Sequence, residues 1–214
     1  MKGITPLFYS FLEHLHMQKE KIASLQLIGK LEDYLVKEFC YHVYKESDRK
    51  VLALVNFYKK GEQRIDICLF RGKNLENIEI YGMIEAKYLR NRHRLWHYDA
   101  KDEITTTLKK FRNQLHVFEE KTHGGYNVNL LSKTNEIYGL IFASYVSENK
   151  DKQLKNNFYN TILEKANESF RYHDLSKPYF RIAYDDEEIK VLNSIFYNTL
   201  KIGLWKIISR PEGT

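Results

Sequence analysis

The sequence predicts an α/β fold in which helices cover both faces of a mixed sheet. Three strand-like segments follow one another over residues 51–89 with short polar connections, which is typical of an antiparallel meander. Segments with helical periodicity precede and follow this meander. A continuous apolar segment at 136–146 then has the pattern of a strand buried on both faces. This order of elements favours one sheet between two helical layers.

The individual elements follow from hydrophobic spacing and turn residues. Helices are predicted at residues 5–16, 24–46, 101–121 and 149–173, and strands at 50–60, 64–70, 78–89, 136–146, 179–184 and 200–209. Ser24 is the expected N-cap of the second helix, and Gly61 marks the turn between the first two strands. The acidic cluster at residues 185–188 is expected in a turn or on an edge strand.

Length and composition favour one intracellular domain. The chain has 214 residues, 43% of them hydrophobic, which is enough for a sizeable core. Residues 1–150 are expected to form the core, and residues 151–214 an extension of the same domain. Two cysteines in apolar segments indicate buried thiols in a reducing compartment. With neither a secretory signal nor an apolar run of ~20 residues, a cytoplasmic protein without membrane contact is expected.

Three charged residues interrupt two strands that otherwise have the composition of a core. Asp66 lies in "RIDICLF", and Glu85 and Lys87 lie in "MIEAKYL". Side chains alternate between faces, so Glu85 and Lys87 share one face, and pairing of the two strands can place Asp66 beside them. Two buried carboxylates repel each other and are costly to desolvate, and a divalent cation removes both difficulties. The pattern therefore predicts a Mg²⁺ site, with Lys87 close to a water that the ion holds.

A third carboxylate is expected from the helix that precedes the strands. Glu32 lies within a turn or two of the apolar residues Ile28, Leu35 and Phe39, which places it on the inward side. Glu38 is the alternative, although its position on the helix directs it more toward solvent.

A helix bearing Glu, a hairpin strand bearing Asp and a following strand bearing E-x-K form a pattern that resembles the core of the PD-(D/E)XK nuclease superfamily. The matching stretches are "GKLEDYL", "QRIDICL" and "MIEAKYL", and the resemblance spans residues 24–146. Ile65 stands where the family has proline before the Asp. The resemblance implies a restriction-endonuclease-like fold, a mixed sheet in which an antiparallel meander is followed by a further strand.

The resemblance also implies roles for individual residues. Mg²⁺, which Mn²⁺ can replace, would be held by three carboxylates and one backbone carbonyl, those of Glu32, Asp66, Glu85 and Ala86. Lys87 would assist the attacking water, next to the catalytic acids Asp66 and Glu85. Gln114, in the helix after the E-x-K strand, matches a family position that faces the site.

The segment "KYLRNRHRLWHYDAK" interleaves cations with aromatic rings directly after the E-x-K strand. Such a loop suits a sugar-phosphate backbone and unpaired bases, and the net charge of +6 suits a polyanion. The candidate phosphate contacts are Arg90, Arg92, Arg94, Lys109 and Arg112. A solvated basic loop is the alternative. His93 and His97 have the spacing of a zinc pair, but Arg94 stands where a zinc protease has Glu.

These features predict a Mg²⁺-dependent endonuclease of restriction or defence type. DNA is the expected substrate and RNA the alternative, and a homodimer would allow both strands to be cut. The competing hypothesis is a non-catalytic nucleic-acid-binding or assembly protein that keeps the nuclease fold. A simpler alternative is a cross-strand ion pair between Asp66 and Lys87 on a solvent face, with Glu85 exposed as well.

Overall fold

The described part of the chain contains four helices and six strands in a computed structural model, which describes residues 4–28, 31–58, 64–72, 78–91, 136–169 and 180–207. The helices are α1 (Ile4–Met17), α2 (Lys19–Ile28), α3 (Glu32–Glu46) and α4 (Lys152–Ser169). The strands are β1 (Val51–Tyr58), β2 (Arg64–Gly72), β3 (Ile78–Arg90), β4 (Glu136–Ser147), β5 (Phe180–Val191) and β6 (Ser194–Ile207).

All six strands belong to one mixed sheet with the order β1-β2-β3-β4-β6-β5. The first three strands form the predicted antiparallel meander. β4 runs parallel to β3, and β6 and β5 complete the sheet with antiparallel pairs. Side chains of β4 are buried in hydrophobic clusters on both faces of the sheet, which explains its continuous apolar sequence.

A separate hydrophobic cluster lies on each face of this sheet. The first three helices pack on one face, where Phe8, Phe11 and Phe39 are fully buried against strand residues. α4 packs on the other face through Phe158 and Ile162. The prediction of an α/β fold with helices on both faces is confirmed.

The predicted helix over residues 24–46 is two helices, and the expected cap at Ser24 is wrong. Ser24 lies inside α2, where its hydroxyl donates a hydrogen bond of 2.8 Å to the carbonyl of Glu20. The apolar spacing runs on across Gly29, a residue with low helix propensity, so the spacing alone did not show that one helix ends and another begins.

The C-terminal strands form a hairpin whose outer strand, β5, is an edge of the sheet. The acidic cluster at residues 185–188 lies in this edge strand, where the pairing with β6 shifts in register near Tyr184. Asp185 and Asp186 accept hydrogen bonds of 2.7 and 2.8 Å from the Nζ of Lys155 in α4. The irregular edge is thereby tied to the helix that packs on its face.

The structure also bears on the expectations for the cysteines, the first turn and the third predicted helix. Cys40 and Cys68 are buried free thiols, and burial raises the pKa of each to about 12. The turn at Gly61 and the helix at 101–121 lie outside the described residues. Of the helices that the structure describes, none combines the length and apolar character that a membrane crossing requires.

Two histidines lie between α1 and α3, at a position that the hydrophobic pattern did not indicate. The Nε2 of His42 shares a hydrogen bond of 2.6 Å with the hydroxyl of Ser10, and the Nε2 of His14 lies 2.6 Å from a carboxylate oxygen of Glu38. The two rings are 5.1 Å apart. Burial lowers the pKa of His42, and repulsion from His14 lowers it further.

We expect acid to destabilise the protein through His42. Because its pKa is lower when the protein is folded, its contribution is present above the ordinary value of ~6.5 and is lost as the pH falls below it. In urea unfolding, the free energy of unfolding of His42→Gln, measured relative to wild type at the same pH, should therefore rise as the pH falls from 8 to 5.5. A difference between the two proteins that is the same at both pH values would contradict the prediction.

Candidate active site

Divergence of β2 from β3 creates the candidate site. The pairing between these strands ends at Ile67 and Ile84, whereas β2 stays paired with β1 as far as Arg64 and β3 stays paired with β4 as far as Arg90. The last six residues of β3 therefore have one edge without a ladder partner among the described strands. Backbone N–H groups on such an edge need other acceptors.

Two carboxylates accept these hydrogen bonds. The Oδ2 of Asp66 accepts a bond of 2.8 Å from the N–H of Ala86, and the Oε2 of Glu32 accepts one of 3.1 Å from the N–H of Tyr88. Ala86 and Tyr88 are two residues apart, so their N–H groups leave β3 on the same edge. Glu32 comes from the first turn of α3, and so two distant parts of the chain meet at this edge.

Glu85 and Lys87 lie beside these two acids, on the face of β3 that Asp66 also faces. The Nζ of Lys87 donates a hydrogen bond of 2.9 Å to the Oε1 of Glu85 and is 3.7 Å from the Oδ2 of Asp66. Glu85 is only 2% exposed. The side chains of Asp66 and Lys87 are 24% and 19% exposed, so the site is open to solvent on one side.

The electrostatics of the site reflect crowding of carboxylates around one cation. Burial and repulsion from Asp66 together raise the pKa of Glu85 to about 7, although attraction to Lys87 opposes the rise. Burial also raises the pKa of Glu32, although Lys87 and the N–H of Tyr88 oppose this. Burial alone would lower the pKa of Lys87, but Glu85 and Asp66 outweigh it and raise that pKa. Lys87 is therefore a stable ammonium in this arrangement.

The donor atoms fit a small hard cation held by few protein ligands. The Oε2 of Glu85 is buried and accepts no hydrogen bond from the described residues. The carbonyl of Ala86 leaves β3 on the same open edge as its N–H. Nowhere in the described ranges do three or more His, Cys, Asp or Glu side chains form a group that could hold a metal ion. Carboxylate and carbonyl oxygens such as those of Asp66, Glu85 and Ala86 are donors of the kind that Mg²⁺ takes when it keeps several waters.

The structure brings together five of the residues predicted for this site, and these are Glu32, Asp66, Glu85, Ala86 and Lys87. The alternative acid, Glu38, is bound to His14 instead. The simple cross-strand alternative is wrong about Glu85, which is buried rather than exposed, although the ion pair between Asp66 and Lys87 is present.

The predicted phosphate contacts are almost all outside the described residues. Arg90 is half-buried at the end of β3. The positions that the structure does not describe are those of Arg92, Arg94, Lys109, Arg112 and Gln114, as well as His93 and His97. Their roles stay predictions.

Sequence patterns did not reveal how the acids are held. The N–H groups of Ala86 and Tyr88 carry no side-chain signature, so only the end of the β2–β3 pairing exposes them as donors. The outer face of α3 was also not predicted as a candidate site, although Tyr41, Tyr44 and Lys45 recur there at helical spacing. That spacing was readable from the sequence.

We expect Glu85 to make stability depend on pH. Its pKa is raised from 4.5 to about 7, so its contribution is fully present below pH ~4.5 and is lost as the pH rises through about 7. At ~1.4 kcal/mol per pKa unit, the loss is at most roughly 3 kcal/mol. In urea unfolding with EDTA, the free energy of unfolding of Glu85→Gln, measured relative to wild type at the same pH, should therefore rise between pH 5.5 and pH 8.5. A difference between the two proteins that does not change with pH would contradict the prediction.

Comparisons with protein-family models, curated proteins and solved structures found no match to this chain.

Proposed function

We propose that the chain is a Mg²⁺-dependent nuclease of the PD-(D/E)XK type, which hydrolyses phosphodiester bonds in nucleic acid and most readily in DNA. Within that class we propose an endonuclease of restriction or defence type. The observation that carries the proposal is the unpartnered, buried Oε2 of Glu85, which lies on an open strand edge with Asp66, Glu32 and Lys87 around it.

Stability of the fold does not account for this cluster. A buried carboxylate with an unsatisfied oxygen is costly, and a second acid beside it adds repulsion. Lys87 offsets part of the charge, but a single ammonium faces Glu85, Asp66 and Glu32. A site that still lacks positive charge is one that a cation would complete.

Asp66, Glu85 and the carbonyl of Ala86 would hold the ion, and Glu32 is the further ligand that the family resemblance adds. The ion, when bound, would lower the pKa of a water and offset negative charge on the phosphate. Neutralisation of the acids removes the attraction that raises the pKa of Lys87. Lys87 could then orient the attacking water, accept its proton or stabilise the phosphate.

The second candidate is a non-catalytic nucleic-acid-binding protein with the same fold. The observation that favours it is the pairing of Lys87 with Glu85 and Asp66, together with the use of Asp66 and Glu32 as acceptors for the N–H groups of β3. In that case the acids close the strand edge and the protein has no need of an ion.

Substitution of Lys87 should abolish cleavage and leave the fold intact. We expect Lys87→Ala to reduce the rate of DNA cleavage in Mg²⁺ by ~100-fold or more, as is typical when a group that assists proton transfer is removed. Rates should be measured on supercoiled, linear and single-stranded DNA and on RNA, with circular dichroism as the check on folding. Lys190→Ala, at a lysine whose side chain is 75% exposed, should keep wild-type rates.

Asp66→Asn sharpens this test because the amide oxygen can still accept the hydrogen bond of Ala86 while the charge is lost. Cleavage should be lost, whereas Asp33→Asn, on the exposed side of α3, should cleave normally. Wild type that cuts none of the four substrates in Mg²⁺ or Mn²⁺ would overturn the enzymatic proposal in favour of the second candidate.

Binding of the ion should be measurable without nucleic acid. We expect Mn²⁺ to raise the melting temperature of wild type more at pH 8 than at pH 6, because the ion binds ionised Glu85, whose pKa is about 7. Isothermal calorimetry at pH 8 should give a binding heat that disappears in Asp66→Asn and Glu85→Gln. The matched control is Glu38→Gln, which removes an acid outside the site. A heat unchanged in the first two variants would place the ion elsewhere.

A further inference from the structure

A second feature with the chemistry of a binding site lies at the C-terminal end of α3. An open cleft of about 360 Å³ is lined by Tyr41, Tyr44, Lys45, Asp48 and Arg49, and is called here the α3 cleft. Its volume is at the lower end of the range for small-ligand sites, ~300–1,000 Å³. None of these residues belongs to the candidate active site.

The floor of the α3 cleft is a turn whose backbone is well fixed. The N–H of Ser47 donates to the carbonyl of Val43 at 3.1 Å, and the N–H of Arg49 donates to that of Tyr44 at 3.0 Å. The hydroxyl of Ser47 also accepts a bond of 3.1 Å from the N–H of Val51, the first residue of β1. The backbone at the end of α3 is therefore fixed before any ligand binds, which lowers the entropic cost of binding.

The rings of the cleft are exposed although neighbouring residues of the same helix are buried. Tyr41 is 61% exposed and Tyr44 is 38% exposed, whereas Phe39 and Val43 are fully buried in the core. The outer face of α3 thus presents two aromatic surfaces to solvent, separated by one turn of helix. Exposed planar rings in a concave site suit a planar ligand that stacks on them.

The charges of the cleft indicate that the ligand is an anion with a planar group. Lys45 and Arg49 supply two exposed cations beside the rings, and Lys50 follows them as an exposed third. Cations beside stacking rings are the combination that binds single-stranded nucleic acid, with phosphates on the cations and bases on the rings. Asp48 can accept a hydrogen bond from an N–H group of a base, such as the N3–H of an unpaired thymine. An acidic peptide would meet the same cations but would gain nothing from Asp48 and little from the rings.

We propose that the α3 cleft binds an unpaired nucleotide of single-stranded nucleic acid and so anchors a strand at a fixed distance from the active site. Glu32 begins α3 and Lys45 lies near its end, and at 1.5 Å per residue they are roughly 20 Å apart. At 3.4 Å per stacked nucleotide this corresponds to about six nucleotides. The link to cleavage rests on the proposed nuclease function, whereas binding in the cleft does not.

The test is fluorescence anisotropy of the full chain in EDTA, with a labelled 20-nucleotide oligothymidylate and an abasic strand of the same length. The abasic strand keeps the phosphates and lacks the rings. Wild type should bind the thymidylate about 10-fold more tightly than the abasic strand, since stacking on one aromatic side chain contributes this order of discrimination. The double variant Tyr41→Ala and Tyr44→Ala should lose most of this preference, whereas the double variant Tyr41→Phe and Tyr44→Phe should keep it.

Tyr9→Ala is the matched control, because Tyr9 is 38% exposed on another helix. It should bind as wild type does. Three results would each contradict nucleotide binding in the α3 cleft. They are equal binding of both strands by wild type, an unchanged preference in the double alanine variant, and competition by polyglutamate as strong as by thymidylate. If wild type cleaves DNA but the cleft variants bind as wild type does, only the proposal for the α3 cleft is wrong. If binding depends on the two rings but nothing is cleaved in Mg²⁺, only the proposed nuclease function is wrong.

Discussion

The separation of β2 from β3 is the constraint on which the candidate site depends. Had the two strands stayed paired beyond Ile67 and Ile84, the N–H groups of Ala86 and Tyr88 would have bonded to β2. Asp66 and Glu32 instead accept those bonds. The opening of the sheet therefore supplies the donors that gather the acids, and the acids replace the ladder that the opening removed.

Gathering acids at this edge leaves a charge imbalance that the fold does not resolve. Lys87 reaches both Glu85 and Asp66, but the raised pKa of Glu85 indicates that the ionised form of this carboxylate is still disfavoured in the folded protein. Buried ion pairs are seldom kept for stability, since apolar residues of similar size often serve as well or better. Shifted pKa values of this kind concentrate at functional sites, and this is why we propose the cluster as one. Its position between two firmly paired segments, β1–β2 and β3–β4, keeps it rigid.

The features of the site that periodicity alone determines could be predicted from the sequence, and the features that depend on strand pairing could not. The two-residue period of strands placed Asp66, Glu85 and Lys87 on one face, and the helical period chose Glu32 over Glu38. Periodicity says nothing about where strand pairing ends, so the acceptor roles of Asp66 and Glu32 were invisible. The same limit explains the missed boundary between α2 and α3, because apolar spacing continues in phase across it.

α3 makes the two proposed sites parts of one arrangement. Its buried stripe, which includes Leu35, Phe39 and Val43, fixes the helix against the sheet. Glu32 at one end and the α3 cleft at the other are then held by the same rigid packing, so the distance between them cannot adjust to a ligand. A strand anchored at the cleft would meet the acids at a register set by helix length. Binding that does not depend on base sequence would then still give a preferred distance between the anchored nucleotide and the cleaved bond. The length of α3, and not recognition of a base, would set that distance.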